Sequence, residues 1–91
     1  MVRAAMTSGP LDHAFARVFL SEMQRHAYTY DQISALSGVS RTRAHRLLAG
    51  RAPFYVGDVQ RLTDAFELDA ATVLQQVQAH MESAGQRDEE L

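Results

Sequence analysis

Apolar residues recur along this chain at steps of three and four, the spacing that lines one face of a helix. Leu11, Phe15, Val18, Phe19 and Met23 form the first such stripe, with Glu22 inside it. They predict a helix from about Pro10 to Ala27. Pro10 suits a first helical position, because the N–H it lacks has no intrahelical partner there. Asp12 in the first turn favours the positive end of the helix dipole. The aromatic rings of this stripe read as core.

Next, Thr29 with Gln32 three residues on has the form of a capping box. A second helix follows, Tyr30 to Ser37, turning Ile33 and either Leu36 or Ser37 inward. Gly38 suits the left-handed conformation in which helices often end. Ser40 is the next N-cap, and the third helix runs to about Ala49 before Gly50. After the loop Arg51–Phe54, a fourth helix is expected from Val56 to Phe66, with Val59, Leu62 and Phe66 inward. Asp69 caps a fifth, Ala70 to Ser83, carrying Val73, Leu74, Val77 and Met81. No strand, repeat or low-complexity tract interrupts the series. The expected fold is all-α, with five helices.

With 91 residues, 46% of them apolar, the chain is long enough for one small domain. The reading divides it into a lead at 1–9, a domain at 10–83 and an acidic, disordered tail at 84–91. No cysteine is present, so disulfides and thiolate metal sites are excluded. No apolar run approaches the roughly 18 residues of a membrane span. A cytoplasmic location is expected.

Charge adds a division that the net value of −2 conceals. Residues 25–61 carry six arginines against Asp31 and Asp58, for a net +4, whereas residues 62–91 carry a net −6. A basic middle beside an acidic end suits one face for a polyanion and another kept off it. All nine basic residues are arginine, alongside many alanines, valines and glycines. Those residues have GC-rich codons, which points to a high-GC bacterium or one of its phages as the source.

The basic residues concentrate in the third helix. At about 100° per residue, Ala44, Leu47 and Leu48 share one arc, the core side. Thr42 and Arg46 lie nearly opposite, Arg41 and Arg43 flank them, and His45 sits near Arg41. Arginine donates two hydrogen bonds to a guanine edge or grips phosphate, and threonine bonds an edge or touches a thymine methyl. Two readings of this face are open: contact with DNA, or a solvated charged surface.

Two short helices joined by a tight turn, the second one basic, form a helix-turn-helix arrangement. The stretch ISALSGVSRTRAHRLLAG (Ile33–Gly50), followed by DVQRLTDAFELDAATVL (Asp58–Leu74), resembles the Cro and phage-repressor proteins of the XRE family. The resemblance implies a lambda-repressor-like domain with the motif at 30–49 and the recognition helix at 40–49. It implies that Arg41, Thr42 and Arg46 read base edges, in agreement with the wheel, with His45 a further candidate contact. Tyr30, Ser40, Arg43 and Arg51 fall at backbone-gripping positions, and Ser34 at the helix crossing. Tyr30 stands where the family often has glutamine, Leu36 where it is usually polar, and Tyr55 where a serine or threonine cap is usual.

The implied function is sequence-specific binding of a double-stranded operator, with repression by promoter occlusion. The implied partner besides DNA is a second copy, docked through Val73, Val77 and Met81 of the fifth helix; simple coverage of the first and fourth helices is the alternative for those residues. An antitoxin or adaptor that uses the same fold to bind a protein is the competing function, favoured by Leu36 and the acidic end. His13, His26, His45 and His80 have no metal-ligand spacing, although His26 and His45 are candidates to approach one another. No cofactor and no catalytic activity are expected.

Overall fold

The computed structural model describes the backbone of residues 8–90 and the side chains of residues 8–83. Each helix begins where the sequence supplies a start signal. In α1 (Pro10–His26), Pro10 opens the first turn and Asp12 Oδ2 accepts the Gly9 N–H at 2.8 Å. The helix closes on Ala27, which takes the left-handed conformation at φ 58°. In α2 (Tyr30–Ser37), Thr29 Oγ1 accepts the Gln32 N–H at 3.1 Å and Gln32 Oε1 accepts the Thr29 N–H at 2.8 Å. These two bonds satisfy two of the N–H groups that a helix start leaves without partners.

Gly38, at φ 80°, turns the chain into α3 (Arg41–Leu48), whose cap Ser40 accepts the Arg43 N–H at 3.2 Å. α4 (Val56–Ala65) begins after Tyr55, which has no capping hydroxyl within reach; Asp58 takes over by accepting the Tyr55 N–H at 2.9 Å. Asp69 Oδ2 accepts the Thr72 N–H at the start of α5 (Ala70–Glu90). The five expected helices are all present, and no strand occurs among the described residues. The all-α architecture read from the sequence is the architecture of the chain. The one large difference in bounds is α5, which runs on to Glu90 instead of stopping at Ser83. Beyond Ser83 only the isolated Gly85 opposes helix, and Gln86 and Arg87 favour it. Residues 1–7 of the expected lead and Leu91 of the expected tail lie outside the described residues.

α1 lies against α3 and α5, while α2 packs on α3 and α4. Phe19, Ile33, Leu47 and Leu62 are fully buried at the centre. The rings of Phe15, Phe19 and Phe66 are joined there by Phe54, which comes from the loop after α3 and lies 5.6 Å from Phe15 and 5.9 Å from Phe19. The loop is anchored as well as packed, since Asp12 Oδ1 accepts the Phe54 N–H at 2.7 Å. Thus the first turn of α1 fixes the segment that follows the basic helix.

Two alternatives left open by the sequence are decided here. Val73 and Val77 are buried among the core residues, so they cannot also serve as a dimer surface. Coverage of the core by α5 accounts for them, and among the described residues of that helix Leu74 and Met81 are the large apolar side chains that stay exposed. On α2, Ser37 and not Leu36 turns inward. Its hydroxyl donates to the Ile33 carbonyl at 2.7 Å and accepts the Val39 N–H at 3.0 Å, leaving Leu36 in solvent.

Candidate nucleic-acid interface

The orientation of α3 is set by what it buries. Ala44 and Leu47 are wholly inaccessible and Leu48 nearly so. Removing three such side chains from water outweighs any preference of the polar residues between them; each is worth on the order of 1–3 kcal/mol. With that arc fixed, Arg41, Thr42, His45 and Arg46 must face outward. They line an open depression of about 300 Å³ on the protein surface. The three residues expected to read bases therefore share one concavity with His45.

The flanks of this depression differ. On the α2 side, Asp31 lies 3.5 Å from Arg41 Nε, with both side chains largely exposed. Tyr30, the residue before it, packs its ring against His45 at 4.9 Å between centroids. On the helix axis, the Ser40 hydroxyl accepts the Arg43 N–H, which leaves its own proton free to donate. At the far end, Gly50 at φ 76° reverses the chain, and the Arg51 N–H donates to the Arg46 carbonyl at 2.9 Å. This closure holds Arg51, with its exposed side chain, immediately beyond the depression. Among the described residues, the guanidinium groups of Arg46 and Arg51 have no ion-pair partner.

Arg43 is different. Its Nε and Nη2 donate to the Asp58 carboxylate at 3.1 and 2.6 Å, and Nη2 also reaches the Pro53 carbonyl at 3.4 Å. Its guanidinium lies 5.0 Å above the Tyr55 ring. The expectation that Arg43 grips DNA phosphate is corrected accordingly: this side chain ties α3 to the start of α4. Burial pushes the Asp58 carboxyl up, but the hydrogen bonds from Arg43 and the Tyr55 N–H outweigh it and hold the group below the usual carboxylate range. The hydrogen bond to Asp58 likewise raises Arg43, against the opposing effect of burial. Sequence reasoning missed Asp58 as a structural residue, although an acid at the third position of a helix that lacks a capping side chain is a readable signal.

His26 and His45 pack against different neighbours. His26 stacks on Tyr28 at 5.0 Å and lies 3.6 Å from Glu22, while His45 packs at a tilt against Tyr30. Among the described residues no group of three or more His, Asp or Glu side chains is placed to hold a metal ion. No helix among them is long and apolar enough to cross a membrane.

Comparison with known proteins returns no match among curated proteins and none among solved structures. One family does match, over residues 13–91, from the first turns of α1 through the end of the chain. That span takes in most of α1, the other four helices and the whole arginine-lined depression, and on this ground the chain belongs to the BetR domain family.

Proposed function

We propose that this BetR domain protein is a sequence-specific double-stranded-DNA-binding transcriptional regulator of the Cro-like, helix-turn-helix kind. The observation that carries the reading is the depression on α3, where Arg41, Thr42, His45 and Arg46 stand together on the face opposite a fully buried Leu47. Helix α3 enters the major groove, and Arg41, Thr42 and Arg46 meet base edges. Ser40 and Arg51 hold phosphates at the two ends of the helix and fix its register. Repression follows from occupancy of a site that overlaps a promoter. Neither a cofactor nor a catalytic step is part of the reading, and its setting is the nucleoid.

A single recognition helix has a small footprint, and helix-turn-helix proteins commonly bind paired half-sites about one helical turn apart. A dimer through α5 would draw on Leu74 and Met81, its exposed large apolar residues among those described, because Val73 and Val77 are occupied in the core. Selecting bound sequences from random duplex DNA tests both parts at once. The expected result is an enriched site, with two inverted half-sites if the protein dimerises. Equal retention of scrambled and selected duplexes would end the proposal.

A second reading, an antitoxin or adaptor, draws support from Leu36, which is about half exposed on α2, and from the acidic C-terminal sequence. It predicts a stoichiometric protein partner that is lost on Leu36→Glu. Purification without such a partner from the native host counts against it.

A further inference from the structure

The four residues of the depression are not held alike. Thr42 and Arg46 have no side-chain hydrogen bond or ion pair among the described residues, whereas the other two are touched by consecutive residues at the start of α2. Asp31 meets Arg41, and Tyr30 meets His45 one turn further along α3. Tyr30 is half buried and packed against the hydrophobic core, so its ring is a fixed wall. Its plane is tilted 53° to the imidazole at 4.9 Å, within the range of favourable aromatic pairs. His45 is exposed and lines the depression, while Tyr30 stands behind it.

We propose that His45 is a specificity-determining residue of the DNA interface and that Tyr30 is its positioning residue. The inference rests on the DNA-binding reading of α3. It assigns Tyr30 a different role from the phosphate contact implied by sequence resemblance: the ring, and not the hydroxyl, does the work. An imidazole offers one donor and one acceptor when neutral and two donors when charged, so it can bond a purine N7 or a partner amino group. On a free rotamer that choice carries little discrimination. Held against a fixed ring, the imidazole presents its edge in a restricted range of directions, and the order is established before DNA arrives.

The test is sequence selection from random duplex DNA with the full chain, run in parallel for wild type, Arg46→Ala, His45→Ala, Tyr30→Leu and Tyr30→Phe, with thermal melting of each. His45→Ala should lose discrimination at one base pair by about fivefold or more, the low end expected of a single base contact. Its melting should change little, because the side chain is exposed and gives up only its contact with Tyr30. Tyr30→Leu should weaken the preference at that same base pair, and Tyr30→Phe, which keeps the ring, should restore it. If Arg46→Ala erases a preference while His45→Ala alters none, the proposal is overturned and the DNA reading stands. If Tyr30→Phe behaves as Tyr30→Leu does, the hydroxyl is the active group and the positioning role is wrong. A wild-type protein that enriches no sequence removes both. Should Tyr30→Leu unfold, His45→Ala with Tyr30→Phe still decides the matter.

Discussion

Arg43 and Arg46 lie three positions apart on α3, yet the two guanidinium groups have opposite surroundings. Arg43 reaches across to α4, where it meets Asp58, the Pro53 carbonyl and the face of Tyr55. Arg46 points into the open depression with no ion-pair partner among the described residues. The seam between α3 and α4 and the outward face of α3 thus share a helix and a residue type but differ in surroundings. An arginine beside a buried carboxylate is structural; an arginine left in solvent on a fixed helix is available for recognition. Residue type alone does not assign the role.

The comparison can be broken most forcefully from the inside. Leu47→Ala removes a fully buried side chain and should cost about 2–5 kcal/mol of stability. Denaturant unfolding reads this directly, and an unchanged midpoint would mean that α3 is not oriented as described. The seam comes next. Asp58→Ala leaves Arg43 without its partner and Tyr55 without its cap, at an expected cost of about 3 kcal/mol. The low end of the range for broken buried pairs applies because the Arg43 side chain is 35% exposed.

The same carboxylate predicts a pH dependence. Folding lowers the proton affinity of Asp58, so its contribution is full at neutral pH and is lost as the pH falls through the carboxylate range, below about 4. Asp58→Asn should flatten that acid limb of the stability profile, and an identical limb in both proteins would assign it to other groups. At the outward face, Arg46→Ala should leave melting unchanged while removing about 1–3 kcal/mol of preference at one base pair. The smallest effect belongs to Arg51→Ala. It should weaken all duplexes alike and reduce the salt slope of binding by about one unit. A loss of sequence preference instead would move Arg51 from backbone to base.

Much of the fold was legible because its signals are local. Pro10, the Thr29–Gln32 pair, Ser40 and Asp69 mark helix starts within a few residues of the positions they cap, and Gly38 marks a stop. The wheel of α3 was legible for a similar reason: a helix that buries Leu47 must expose Arg46. What stayed hidden involves partners that are distant in sequence. Periodicity cannot tell that Arg43 will find Asp58, fifteen residues on, or that Phe54 will leave its loop to join Phe15 and Phe19. Nor could it divide the apolar residues of α5, because Val73 and Leu74 are neighbours in sequence and only packing decides which one enters the core. Tyr30 was placed near DNA by resemblance, and its contact with His45 appears only when α2 and α3 are seen together.

The bond from the Phe54 N–H to Asp12 spans 42 positions of sequence. Contacts that enclose so long a stretch form late, because the chain gives up its freedom before they repay it. The segment that carries Arg51 is therefore held at both ends, by the Arg46 carbonyl at the close of α3 and, three residues further on, by the opening of α1. Early in folding nothing yet ties down the far side of that loop, and it settles only as α1 and the loop close on each other.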